Sequence, residues 1–363
     1  MRILHVITSL HIGGAEKLMT IMLPRLRNLG NDVDLLVFDG SHTAFTDALS
    51  RAGIRILSLN ARRVYSPANI LKLRKFLRGY DIVHTHNTAC QLFVPLALKL
   101  VSGRKPILVT TEHNTTNRRR DMRWFRPVDK WMYSRYARII CIGESTRRNL
   151  CNYLGRELPA DVIHNGIELP GASEPATPNP AAEIIITMVA AFRPQKDQDC
   201  ALRAMTLLPD NYRLRLVGDG ERRAEVEHLA AELKLGERVR FLGNRSDVNA
   251  LLAQSHINLL ASHWEGLSLS SLESMAACRP FVASDVQGLR EIVGSYGVLF
   301  PDSDAESLAK EIKALAENPQ RYESVAAQCR RRAEQFDIAI TANNYNSLYL
   351  SLHGTNTSDF HNC

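Results

Sequence analysis

SHINLLASHWEGLSLSSLESMA, residues 255 to 276, changes period partway along. Its first seven residues read as a buried strand, and from about Ser268 the apolar residues recur at helical spacing. Glu265 therefore falls in a strand-to-helix turn, and Glu273 lies within the helix. A strand feeding a helix N-terminus is the repeating step of an open α/β sheet. Such sheets hold ligands there, because orphan backbone N–H groups and the helix dipole point out of the sheet's C-terminal edge. Taken alone, the two glutamates fit equally well a solvated helix residue and an acid favoured near a helix N-terminus, so the rest of the chain has to decide.

On either side the same step repeats. Up to about residue 165 the strand-like runs RILHVI, VDLLVF, IRILSL, DIVHTH, ILVTTE and RIICIG alternate with helical patterns such as AEKLMTIMLPRLRNLG and SPANILKLRKFLRGY. GASEPATPNPAAE, residues 171 to 183, has no periodicity and reads as a linker. Alternation then restarts with IIITMVAAF, YRLRLVGDG, VRFLG, INLLA, PFVASD and YGVLF. The expected fold is α/β, with two Rossmann-like doubly wound domains in tandem. At 363 residues the chain has room for both cores.

The net charge of +7 conceals a division. Residues 1 to 164 carry 26 Lys and Arg against 12 Asp and Glu, whereas residues 165 to 363 carry 19 against 26. A basic half points to an anionic partner: nucleic acid, a lipid surface or a phosphorylated substrate. The seven cysteines are scattered without a CxxC or Cys/His cluster, which predicts a reduced, cytoplasmic protein with no structural zinc. Neither a signal-peptide pattern nor an apolar run of about 18 residues is present.

SLHIGGAEK sets Gly13 and Gly14 at the first strand-to-helix turn, where a backbone can approach a phosphate closely, but neither GxGxxG nor GxxxxGK is formed. In AAFRPQKDQ a strand delivers Arg193 and Lys196 to the corresponding edge of the second domain. A guanidinium fork and an ammonium point charge suit a diphosphate without a metal. No DxD-like pair stands out, and VGDG offers only Asp219. Flanked by two acceptors, the backbone N–H groups of Gly266, Leu267 and Ser268 then suit a nucleotide sugar, whose diphosphate needs donors and whose ribose and hexose present hydroxyls.

The ordered set GGAEK, TTEHN, VIHNGI, RPQKD, VGDGE, FLGNRSDV, EGLSLSSLESMA and SDVQGLREIVG resembles the retaining glycosyltransferases of family 4, over about residues 1 to 350. The resemblance implies the GT-B architecture: an N-terminal, acceptor-side domain over 1–170, completed by a C-terminal helix at 336–353; the linker 171–183; and a nucleotide-sugar-binding domain over 184–335, with the donor in a central cleft. It implies transfer of a hexose or N-acetylhexosamine from a UDP-sugar with retention, without metal or cofactor. It further implies Glu273 on the ribose hydroxyls, Glu265 at the sugar, Arg193 and Lys196 on the diphosphate, Gly13 and Gly14 in the N-domain loop, and His113 at the reacting sugar or acceptor. At Ser268 and Ser270 the chain departs from the family, which commonly has bulkier or proline residues there. His84 and His86 in VHTHN are read as structural.

The segment NTTNRRRDMRWFRPVDKWMYSRYAR, residues 114 to 138, interleaves Arg118, Arg119, Arg120, Arg123, Arg126 and Lys130 with Trp124, Phe125 and Trp131. Cations beside aromatics suit an anionic bilayer surface; a basic helix with inward-packed aromatics is the alternative. The expected partner is a lipid-linked glycan acceptor, such as a polyprenyl-linked saccharide, used in cell-surface polysaccharide assembly by an enzyme peripheral on the inner face of the membrane. Competing readings are a GT-B-type nucleotide-sugar epimerase and a non-enzymatic anion binder; nucleic-acid-binding patterns are missing.

Overall fold

Parallel strands need crossover connections, and the helical patterns between the apolar runs supply them. The computed structural model describes residues 1–11, 13–113, 120, 122–171 and 177–358, without the side chains of 123 and 355–358. These residues form two units. One comprises Met1–Gly166 with the C-terminal helix from Ile338, and the other Ile167–Asp337. The division falls at those positions because Ile167 bridges Asp337 in parallel and donates its N–H to Phe336 O at 2.9 Å, tying both ends of the second unit together.

The first unit holds a seven-stranded parallel sheet: β1 (Arg2–Ile7), β2 (Asp32–Val37), β3 (Arg55–Ser58), β4 (Ile82–His86), β5 (Ile107–Glu112), β6 (Arg138–Cys141) and β7 (Ala160–Val162), in the order β3-β2-β1-β4-β5-β6-β7. The second unit has β8 (Ile184–Val189), β9 (Tyr212–Val217), β10 (Val239–Gly243), β11 (Ile257–Leu260), β12 (Phe281–Ser284) and β13 (Val298–Phe300), in the order β10-β9-β8-β11-β12-β13. Strand order reverses between β1 and β4 and between β8 and β11. At those two edges successive crossovers leave in opposite directions and open a crevice.

Every apolar run read from the sequence is a strand. β7, three residues without alternation, carries no such signal. The helical pattern over 66–80 is α-helix only at Ala68–Leu73. Beyond it Lys75 and Phe76 bond back three residues, yet Leu73, Leu77 and Tyr80 keep helical spacing and are all buried. The C-terminal helix Ile338–Ser358 lies on the first unit, with Tyr345 and Tyr349 fully buried. Among the described residues no helix is long and apolar enough to cross a membrane.

Candidate active site

At the β8/β11 edge two loops are zipped together. Asp197 N donates to Ala261 O at 3.1 Å, His263 N donates to Gln195 O at 2.9 Å, and Lys196 bridges Ser262. The Ser284 hydroxyl of β12 donates to Ser262 O at 2.8 Å and accepts from Ser262 N at 2.7 Å. Ser262 in turn donates its hydroxyl to Glu265 Oε1 at 2.9 Å, and Gln195 Nε2 donates to Glu265 Oε2 at 3.2 Å. Lys196 Nζ pairs with Glu265 Oε1, the two side chains being 12% and 7% exposed. Three donors therefore aim Glu265. A carboxylate so far out of water persists because a cation and neutral donors match it.

Glu273 is also buried, in the helix Leu269–Ala276 that follows. Ser268 caps that helix, its hydroxyl accepting from Ser271 N at 3.4 Å. Gly266, Leu267 and Ser268, leading into the helix, are partly exposed. Arg193 differs from Lys196. Its side chain is exposed and has no ion-pair partner among the described residues, so no carboxylate offsets its charge at this edge.

At the β1/β4 edge Gly13 caps the helix Gly14–Asn28 in extended backbone, and a Cβ added at Gly14 would meet nothing within 4 Å. Asn87, directly after β4, has φ 68° and ψ 152°, a region that normally only glycine adopts. Its amide donates to the Thr8 hydroxyl at 2.9 Å, clamping the ends of β4 and β1. Such strain persists only where the surroundings over-determine it. Beside it stand four histidines. His86 Nδ1 lies 3.0 Å from His113 Nε2, and His86 Nε2 lies 3.0 Å from His5 Nδ1. His84 bonds Tyr349 and Thr111 and stacks on His86, with ring centroids 4.5 Å apart. Burial holds His5 down to about 3 and His113 to about 4, and His84 and His86 well below the ordinary range. All four rings are therefore neutral at pH 7. From sequence His113 stands out and His86 reads as structural, yet the structure joins the two directly. The available signal was the two-residue spacing of His84 and His86, which in a strand puts both on one face, with His5 on the neighbouring strand.

The basic segment needs a correction. Arg118 and Arg119 lie outside the described residues, as does the Arg123 side chain. Arg120 does not belong to an exposed surface: its side chain is 8% exposed and pairs with Glu112 Oε2 at 3.3 Å. Glu112 is itself buried at the end of β5, where Tyr133 also donates to it at 2.5 Å. A buried carboxylate draws in the nearest available cation, and that requirement prevails over exposure. Trp131 likewise packs against the core, with Lys99 and Arg135 over its ring. Trp124 is 69% exposed.

Two family models match in tandem: Glycosyltransferase Family 4 over residues 12–169 and Glycosyl transferases group 1 over 172–335. The chain is 24% identical to the UDP-Gal:alpha-D-GlcNAc-diphosphoundecaprenol alpha-1,3-galactosyltransferase of Escherichia coli, over 97% of each chain. It is also 24% identical to the phosphatidyl-myo-inositol mannosyltransferase of Mycolicibacterium smegmatis, over 94% of this chain and 91% of that protein. Among solved structures, Anabaena HepE in complex with UDP and glucose has the same fold, with a TM-score of 0.84 at 20% identity over 97% of this chain and all of that one.

Proposed function

The chain belongs to the GT-B glycosyltransferases of the family 4 type, and on that premise we propose that it moves a hexose or N-acetylhexosamine from a UDP-sugar, with retention, to a lipid-linked saccharide in cell-surface glycan assembly. The observation that carries this reading is the contrast at the β8/β11 edge. Arg193 keeps an uncompensated charge there, while Glu265 is held by Lys196, Gln195 and Ser262. In this reading Arg193 and the N–H groups of Gly266, Leu267 and Ser268 receive the diphosphate, and Lys196 acts as the second cation by sharing its ammonium between Glu265 and a phosphate oxygen. As the glycosidic C–O bond breaks, they stabilise the charge growing on the leaving phosphate. Those cations serve in place of a metal. Glu273 accepts from the ribose hydroxyls and Glu265 faces the sugar. The leaving phosphate oxygen takes the acceptor's hydroxyl proton as the new bond forms on the same face. Gly13 and Gly14 give the first unit's loop its close approach, and His113 contacts the reacting sugar or acceptor.

The lipid-linked acceptor is supported by relatives whose names carry a diphosphoundecaprenol and a phosphatidyl-myo-inositol. Exposed Trp124, Arg126 and Lys130, together with Arg118, Arg119 and Arg123, are the proposed contact with an anionic inner-leaflet surface.

A thermal-shift panel of nucleotide sugars tests the donor, since a ligand of the native state raises Tm by mass action. A UDP-sugar should raise Tm, and free UDP should appear only when a polyprenyl-linked saccharide is added. Release of UDP independent of any acceptor, or a response to none of the panel, overturns the reading. For the surface, cosedimentation should be stronger on phosphatidylglycerol than on phosphatidylcholine vesicles and fade with salt. Equal partitioning removes the membrane role.

A further inference from the structure

Three imidazoles form a line in the first sheet: His5 in β1, His86 ending β4, and His113 directly after β5. Their contacts are His5 Nδ1 to His86 Nε2 and His86 Nδ1 to His113 Nε2, both 3.0 Å. The two terminal nitrogens, His5 Nε2 and His113 Nδ1, are buried and have no partner among the described residues. A neutral imidazole has one N–H and one bare nitrogen, so each contact needs one of each. Fixing the tautomer of any ring therefore fixes all three. Only two arrangements exist: the N–H left over at the end of the line sits either on His5 Nε2 or on His113 Nδ1.

The surroundings choose between them. Both end nitrogens are themselves out of contact with water, but His5 lies fully buried inside a central strand, whereas the His113 residue is partly exposed at the strand-end edge where ligands reach an open sheet. An unmatched N–H costs the desolvation of that group, which is greatest deep inside the sheet and smaller at an edge that water or a ligand can approach. The arrangement that leaves a bare lone pair on His5 and the N–H on His113 is the cheaper one. We propose that His5 and His86 are positioning residues that lock His113 in its Nδ1–H tautomer, so that His113 donates a hydrogen bond from Nδ1 to an oxygen of the bound sugar or acceptor and does not act as a general base. This rests on the role proposed above for His113. Its depressed basicity agrees with a donor and disfavours a base. The strained Asn87 next to His86 holds the strand end that sets the line.

The test reads the tautomers in the free protein, by long-range 1H–15N correlation on histidine-labelled material, with His113→Asn assigning that ring. His113 should show a protonated Nδ1 and a bare Nε2, the reverse of the form a free histidine prefers in water. In His86→Leu that preference should collapse, and turnover should fall roughly tenfold or more with little change in donor KM. His86→Asn, whose amide can donate from near the Nδ1 position, should recover much of both. If His86→Leu does not fold, His5→Leu against His5→Asn makes the same comparison one ring further back. A wild-type His113 in the Nε2–H form, or a tautomer indifferent to His86 and His5, overturns the inference. So does a transition metal in the purified protein bound by His5, His84 and His86, whose nitrogens lie within 4.8 Å of one another. Because the spectrum needs no substrate, full turnover in His113→Ala with the tautomer as expected would sink the proposed contact of His113 and leave the line itself standing.

Discussion

Arg193 and Lys196 are three positions apart, and the fold gives them different work. Lys196 is nearly withdrawn from water and neutralised by Glu265, whereas Arg193 stands exposed without a carboxylate partner. Removing Lys196 strands a buried carboxylate, and breaking such a pair costs about 3–5 kcal/mol. Removing Arg193 strands nothing. Arg193→Ala should therefore cut kcat by roughly 10²-fold at unchanged stability, while Lys196→Ala should lose both turnover and urea resistance. Steady-state kinetics beside urea unfolding separates the two; equal loss of stability in both variants refutes the division. Glu273→Gln should act on donor binding, weakening it by about 1.5–3 kcal/mol if it accepts a hydrogen bond as an anion. An unchanged donor Kd in titration calorimetry removes Glu273 from the ribose.

At the scale of elements, the turn that carries Glu265 is held by close approach. A Cβ added to Gly288, in the helix Gln287–Val293, would come within 2.2 Å of Glu265 O and 2.5 Å of Gly266 O. Both are backbone atoms, so the turn or the helix must move. On the far side, buried Arg279 donates to the carbonyls of Ala253, Ser255 and Cys278, pinning the approaches to β11 and β12. Cys278 itself, at φ 56°, stops the helix Leu269–Ala276 and turns the chain towards β12. The Glu265 turn is thus fixed by backbone packing on one side and by Ser262 and Lys196 on the other. Gly288→Ala should destabilise the protein by about 1–3 kcal/mol, the usual cost of overpacking, and lower kcat by displacing Glu265. A urea midpoint and turnover both at wild-type values would show that the turn yields freely.

For the molecule as a whole, the first unit carries a liability to acid. His5, His84, His86 and His113 all have their basicity depressed chiefly by burial, with the neighbouring rings adding to the effect at His84 and His86 and Glu112 opposing it at His113. Unfolded, these rings protonate near 6.5. Between that value and their folded values the unfolded state binds more protons, so stability falls as pH falls. Their contribution is intact above about pH 6.5 and is lost on the way down towards about 4 for His113 and about 3 for His5. The slope is at most about 1.4 kcal/mol per pH unit for each ring. Depressed carboxylates such as Asp34, whose partners are Arg55 and Tyr80, act in a lower window because their unfolded values are near 4. Urea midpoints should therefore decline already between pH 7 and pH 5, and His5→Asn should flatten the decline. A level profile over that range contradicts the assignment.

The sequence by itself determined the two sheets, the strand-to-helix turn that holds Glu265, and the seating of Glu273 inside the following helix. Those features rest on periodicity among near neighbours, which the side chains impose wherever the segment ends up. It also carried the glycosyltransferase family, through motifs whose order and spacing are linear properties. Only the tertiary structure decided that Lys196 neutralises Glu265, that Arg120 turns inward to Glu112, and that His5 and His86 reach His113. His5 and His86 lie 81 positions apart, and His86 and His113 lie 27 apart. They meet because β1, β4 and β5 are consecutive in the sheet, and strand order is set by the packing of whole crossovers, which no local pattern encodes. The inward turn of Arg120 is hidden in the sequence for a related reason: a run of arginines looks uniformly solvated until one of them is needed by a carboxylate buried at the end of a neighbouring strand.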